Sequence, residues 1–313
     1  MRLPFVLFSL TAAAAAVAQE DEEKRCDGAS YKVPCADHPD IMALQTTECQ
    51  PYHVLLARGT DEKPPGRQGN ITKMICERLG GAGNCGWENL DYPATNRFIS
   101  DDTWCKSADV GAKNGMKQVR EYVEKCPDTK MILLGYSQGA SIVQDMMGGG
   151  GGPAFKCNQS MNSGFIRSEA PGANIAAAAT FGTVRKCIGA PYSVKSGRKT
   201  EGVATRSEEQ CYGLEPYANV LRDYCNENDY ICASHGKAPE LSFHLTYMTQ
   251  YSEEIVSFVV DTVTGKKQKS FMPSIHLISD HYWLTGAVFF SLILSWSVLI
   301  FWTTIRRRLG QAY

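Results

Sequence analysis

The residues of this chain whose types and spacing could do chemistry begin at Gly135-Tyr136-Ser137-Gln138-Gly139. They follow the apolar run Lys130-Met131-Ile132-Leu133-Leu134 and precede a helix-forming stretch, 138–147. G-x-S-x-G between a strand and a helix reads as a nucleophile elbow: a tight turn strains the backbone at the serine and lifts its hydroxyl into the open, while the glycines leave room where strand and helix approach. A serine hydroxyl is a weak nucleophile at neutral pH, so a histidine must take its proton and a carboxylate must orient that histidine. With this elbow the chain order is serine, acid, histidine. Four histidines follow Ser137, and His276 and His281 lie beside the last apolar stretch, which leaves His235 and His244. The acid is expected in a loop after a late strand. Residues 225–232, which contain Asp229, form such a loop, with Asp223 and Glu227 as competing carboxylates.

The elements that must position these residues are legible as an alternation. Apolar runs at 53–57, 130–134 and 176–181, with a fourth at 218–221, read as strands buried on both faces, as in a parallel sheet covered by helices. Ala112, Met116, Val119 and Val123 recur at helical spacing between the first two, and Tyr251, Ile255, Phe258 and Val259 mark a closing helix. This order predicts a three-layer α/β domain. The glycine run 148–152 follows a helix and ends at Pro153, so it reads as a helix stop and flexible loop rather than a phosphate cradle, which would follow a strand and open a helix.

The ends of the chain read as targeting segments. Residues 1–18 carry one charge, Arg2, then an alanine-rich apolar run closing on Ala16-Val17-Ala18, which predicts a signal peptide cut after Ala18. Residues 283–305 hold no formal charge and are followed by Arg306-Arg307-Arg308. About 20 apolar residues span a bilayer core, so this stretch predicts a transmembrane helix with a short cytoplasmic tail, 306–313. A glycolipid-attachment signal is the alternative, disfavoured by the three arginines. Between the ends lie an N-terminal extension (19–48), a catalytic domain (49–262) and a juxtamembrane linker (263–282).

The formal net charge of the whole chain is −1, and the two ends account for four arginines and no acid, so the exported part is mildly acidic. Neither a basic nucleic-acid binder nor a disordered tail fits, since 43% of the residues are hydrophobic and the charges are balanced. All twelve cysteines lie in the exported part, an even set suited to as many as six disulfides in an oxidising compartment. No C-x-x-C pair occurs, so zinc is not expected. Asn70-Ile71-Thr72 and Asn158-Gln159-Ser160 fit the N-glycosylation pattern.

Taken together, Ala57-Arg58-Gly59-Thr60, the serine motif, Tyr224-Cys225-Asn226 with Asp229 and Cys232, then Gly236 and Phe243-His244-Leu245-Thr246-Tyr247 strongly resemble the cutinase and acetylxylan esterase family of α/β-hydrolases, over roughly Cys49 to Val260. The resemblance implies a three-layer α/β/α sandwich with a central, mainly parallel sheet. It implies Ser137 as nucleophile, Asp229 as acid and His244 as base, which makes His235 a loop residue. Thr60 would close an oxyanion hole next to the backbone N–H of Gln138, and Cys49 would bridge to Cys126 and Cys225 to Cys232. Phe181-Gly182-Thr183-Val184-Arg185 departs from the pattern, since many members carry an acidic residue and a proline there. The expectation is a monomeric, membrane-anchored extracellular serine esterase that needs no metal or organic cofactor. It would hydrolyse cutin-type polyester or acetylated polysaccharide through an acyl-enzyme on Ser137. The rival is a surface binding or adhesion protein that keeps the hydrolase fold without turnover.

Overall fold

A computed structural model describes residues 38–235 and 240–266. Its centre is a six-stranded sheet in which every paired neighbour is parallel. In chain order the elements are α1 (Pro39–Met42), β1 (Tyr52–Ala57), α2 (Gly69–Arg78), β2 (Cys85–Asn89), α3 (Thr103–Lys125), β3 (Lys130–Tyr136) and α4 (Gln138–Gly148). Then follow β4 (Gly150–Ala154), β5 (Cys157–Asn162), β6 (Ile175–Phe181), β7 (Arg185–Lys186), β8 (Ser193–Val194), β9 (Ala204–Thr205), α5 (Glu208–Leu214) and β10 (Leu221–Tyr224). The last elements are α6 (Leu241–Leu245), α7 (Tyr247–Gln250) and α8 (Ser252–Thr264). The main sheet runs β2-β1-β3-β6-β10-β8.

Period-two alternation divides the apolar side chains between two cores. From β1, Leu55 and Ala57 enter the core under α3 and α4, while Val54 and Leu56 enter the core under α2 and α8. From β3, Met131 and Leu133 go to the first core and Ile132 and Leu134 to the second. The unbroken apolar runs in the sequence therefore follow from burial on both faces of one sheet.

Two local expectations are corrected. The late strand lies at 221–224 rather than 218–221, because the hydrogen bonds Ala218 N–H to Glu215 O and Val220 N–H to Tyr217 O make residues 215–220 turns. The glycine run does stop α4 at Gly148, but it continues as β4, antiparallel to β5, in a hairpin rather than an open loop. The edge strand β2, Cys-Gly-Trp-Glu-Asn, carries no apolar run and was not foreseen.

The expected transmembrane helix is also corrected. Among the described residues no helix is long and apolar enough to cross a membrane. The longest, α3, has 23 residues, but Lys106, Lys113, Lys117, Arg120, Glu121, Glu124 and Lys125 line its exposed side. Residues 283–305 lie outside the described residues, and the architecture of the described residues is that of the α/β/α sandwich. The membrane anchor, the membrane as partner and the cell-membrane location that depended on it are withdrawn. The signal peptide 1–18, most of the extension 19–48, and Cys26 and Cys35 within it also lie outside the described residues.

All ten described cysteines are paired: Cys49–Cys126, Cys76–Cys85, Cys105–Cys157, Cys187–Cys211 and Cys225–Cys232.

Candidate active site

Ser137 occupies the turn between β3 and α4 with φ 55° and ψ −115°, a strained backbone for a residue with a side chain. The flanking glycines permit the turn. A Cβ on Gly139 would lie 2.0 Å from Ala57 O, and one on Gly135 would lie 2.6 Å from Gly139 O. The Ser137 N–H donates to Phe181 O at 2.8 Å, which ties the turn to the end of β6. As the first residue of α4, Gln138 has a backbone N–H with no acceptor inside its helix, and it stands at the positive end of the helix dipole. The Gln138 side chain is buried and engaged elsewhere, accepting from Ser107 Oγ and donating to Thr95 O and Trp104 O.

Three residues far apart in the chain meet at this turn. Ser137 Oγ donates to His244 Nε2 at 3.0 Å, and His244 Nδ1 donates to Asp229 Oδ2 at 2.8 Å, with Oδ1 at 3.0 Å. Ser137 is 9% exposed, His244 5% and Asp229 0%. The carboxylate has two further donors, Tyr247 OH to Oδ2 at 2.7 Å and Ile231 N–H to Oδ1 at 2.8 Å. Burial pushes the Asp229 pKa up, but the attraction of His244 and the hydrogen bonds from His244, Tyr247 and Ile231 outweigh it and hold the carboxyl below its ordinary value. Burial first, then the charge of Asp229, push the Tyr247 hydroxyl well above its usual range, so it remains a donor at neutral pH.

The other candidates are placed elsewhere. Asp223 is buried in β10, where it accepts from Thr180 Oγ1 at 2.7 Å and from Thr183 Oγ1. Glu227 is exposed. His235 is exposed, 3.9 Å from Glu201. Thr60 lines the same cavity, of about 610 Å³, as Ser137 and His244; Phe98, Trp104, Phe155, Tyr230 and Leu241 form much of its apolar wall. Of the two sequons, Asn158 is exposed on β5 whereas Asn70 is half-buried as the second residue of α2.

Several supporting residues had no clear sequence signal. Gly182 has φ 58°, and a Cβ there would meet His244 Cε1 at 2.6 Å and Asp229 Oδ2 at 2.9 Å, so the absent side chain makes room for the histidine–acid pair. Tyr136 OH donates to His244 O at 2.9 Å. The buried Lys186 ammonium donates to Gly197 O, to Thr200 O at 3.0 Å and to Cys232 O at 3.3 Å, bracing the disulfide-closed loop that carries Asp229. Tyr136 and Tyr247 sit inside quoted motifs, but nothing in those motifs distinguishes their roles; Gly182 and Lys186 become visible only in three dimensions.

An activated serine of this geometry can carry out acyl transfer. The Cutinase family model matches residues 48–263. Among curated proteins, an acetylxylan esterase of Hypocrea jecorina is 26% identical over 216 residues, covering 68% of this chain and 67% of that protein. Cutinase 11 of Verticillium dahliae is 26% identical over 220 residues, covering 69% and 70%. Among solved structures, the catalytic core domain of acetyl xylan esterase from Trichoderma reesei superposes with a TM-score of 0.57 at 24% identity, covering 69% of this chain and all of that one.

Proposed function

We infer the reaction from the premise that the chain belongs to the cutinase family and is a carboxylic ester hydrolase of the α/β-hydrolase type. The observation that carries the mechanism is the hydrogen-bonded series Ser137–His244–Asp229, of which Ser137 and His244 line a cavity. Ser137 Oγ attacks the ester carbonyl as His244 Nε2 takes its proton. Asp229 holds the imidazole in the tautomer that leaves Nε2 free and stabilises the imidazolium as it forms. The negative oxygen of the tetrahedral intermediate is met by the Gln138 backbone N–H and by Thr60, each donor worth about 3 kcal/mol in such sites. His244 then gives its proton to the departing alcohol. Water attacks the acyl-enzyme by the same route, and the carboxylic acid leaves as Ser137 recovers its proton.

The names of the relatives point to acetylated xylan or a cutin-type polyester as substrate. Five disulfides support action in an oxidising compartment, with residues 1–18 as the export signal.

Ser137→Ala tests the reading. Its hydrolysis of short p-nitrophenyl esters is expected to fall by about 10⁴-fold or more, with loss of fluorophosphonate labelling. Undiminished turnover would sink the assignment, and a folded wild-type protein that neither labels nor turns over would favour the silent binding protein. Hydrolysis against acyl chain length, set beside acetate release from acetylated xylan, separates the two substrate classes.

A further inference from the structure

The turn after β1 holds a buried acid that the acyl-transfer steps do not use. The side chain of Glu62 is 7% exposed. Its Oε2 accepts the Gly59 N–H at 2.9 Å and the Arg67 N–H at 3.4 Å, and its Oε1 lies 2.9 Å from Arg67 Nε. Donors from both ends of the stretch 59–67 thus converge on one carboxylate and close it like a clasp, with Thr60 inside. The clasp is anchored from outside: Arg58 Nε donates to Glu62 O at 2.7 Å and Arg58 Nη2 to Tyr92 O at 2.7 Å. Asp61 N–H donates to Ala94 O at 2.8 Å, and Asn96 Nδ2 donates to Asp61 Oδ2 at 2.6 Å.

The same carboxylate borders the catalytic residues. Glu62 and Arg67 line the cavity that Ser137 and His244 line. The Arg67 guanidinium lies over the Tyr136 ring, 5.9 Å from its centre, and that ring is 5.0 Å from the His244 imidazole. Burial holds the Glu62 carboxyl above its ordinary value, against the opposing pull of Arg67, the two N–H donors and the nearby His244. The groups facing His244 are therefore Asp229 and Tyr230 from the disulfide loop, Tyr136 from β3, and the Glu62–Arg67 pair. Those facing Glu62 are Arg67, His244, Tyr92 and Tyr136.

We propose that Glu62 is a positioning residue for ester hydrolysis: its clasp on Gly59 and Arg67 presets the Thr60 segment to receive the oxyanion and adds a second anion facing His244. The inference rests on the reading of Thr60 as an oxyanion donor. Such donors contribute to rate only if they are already in place when charge develops, and a displacement of about 1 Å can forfeit much of their effect.

The test uses the full chain with Glu62→Gln, Arg67→Met and Thr60→Val, reading kcat and KM across pH together with thermal unfolding. For Glu62→Gln, kcat is expected to fall by about tenfold with KM within about twofold. The acidic limb of its kcat/KM profile moves to lower pH, because the imidazolium loses one of the two anions facing it while Asp229 and Arg67 remain. Arg67→Met moves that limb the opposite way. A purely structural role would lower the unfolding temperature and leave both limbs in place. Thr60→Val keeps the readings distinguishable: wild-type kcat in this variant removes Thr60 from the oxyanion hole. A slow Thr60→Val beside a Glu62→Gln with wild-type kcat and limb overturns the clasp. If Glu62→Gln does not fold, the Arg67→Met limb decides, and an unmoved limb overturns the proposal.

Discussion

Replacing Asp229 by Asn removes one charge while changing almost no volume. In the native site the carboxylate receives three donors, His244 Nδ1–H at 2.8 Å, Tyr247 OH at 2.7 Å and Ile231 N–H at 2.8 Å, in a location with no solvent exposure. An asparagine offers one acceptor oxygen and one NH₂. Whichever way the amide turns, its NH₂ faces a group that was donating. With Ile231 fixed by the backbone, the amide oxygen stays on that N–H and the NH₂ turns to the other side. The relief available is for His244 to change tautomer, accepting at Nδ1 and carrying its proton on Nε2. That proton then points at Ser137 Oγ, 3.0 Å away, and the imidazole can no longer act as base. The expected loss in kcat is about 10⁴-fold, equivalent to about 5.5 kcal/mol of transition-state stabilisation, with little change in KM. Steady-state hydrolysis of p-nitrophenyl butyrate across pH, with circular dichroism to verify folding, measures it. A folded Asp229→Asn protein within tenfold of wild-type kcat would refute the role of Asp229 and the tautomer argument together.

Further outcomes follow from the same contacts. Gly182→Ala places a methyl group against His244 and Asp229 at a left-handed backbone position, and kcat is expected to fall by about 100-fold; an unchanged kcat would mean that the pair tolerates displacement. Because the Asp229 pKa is held below its ordinary value of 3.8, its contribution to stability is present above the unfolded value and is lost as pH falls through the folded one. Denaturant unfolding between neutral and strongly acidic pH should therefore show a shallower acid decline in Asp229→Asn than in wild type, and equal slopes would contradict the linkage. Asp145 is wholly buried, with Arg206 Nη1 at 2.7 Å and Arg185 Nη1 at 3.8 Å. Asp145→Ala leaves both buried guanidiniums with neutral acceptors only, at Gln159, Gly152, Gln144, Gly149 and Ser141, and is expected to cost about 3–5 kcal/mol by chemical denaturation; a loss under about 1 kcal/mol would show that those acceptors suffice.

The sequence by itself determined the elbow and most of the sheet. Both glycines are legible from the G-x-S-x-G pattern, but only Gly135 answers to a local clash, with Gly139 and Ala140, whereas Gly139 makes room for the end of β1 at Ala57. The runs at 53–57, 130–134 and 176–181 are legible because burial on both faces demands uninterrupted apolar side chains. Short edge strands such as β2, whose core residues are only Cys85 and Trp87, leave no such trace, and the turns at 215–220 depend on hydrogen bonds that an apolar count does not register. The signals read at the chain ends concern segments outside the described residues.

Tertiary structure decided which histidine and which acid meet the serine. Residue types alone left His235 beside His244, and Asp223 and Glu227 beside Asp229, and family resemblance was needed to choose. Folding sends His235 to the surface beside Glu201, gives Asp223 to Thr180 of β6 and Thr183 just beyond it, and leaves Glu227 in solvent. Gly182, Tyr247, Lys186 and Glu62 owe their places to contacts between residues far apart in the chain or across a closed turn. A buried carboxylate is set by every donor around it, and those donors are brought together only when the sheet, the disulfide loop and the helices pack.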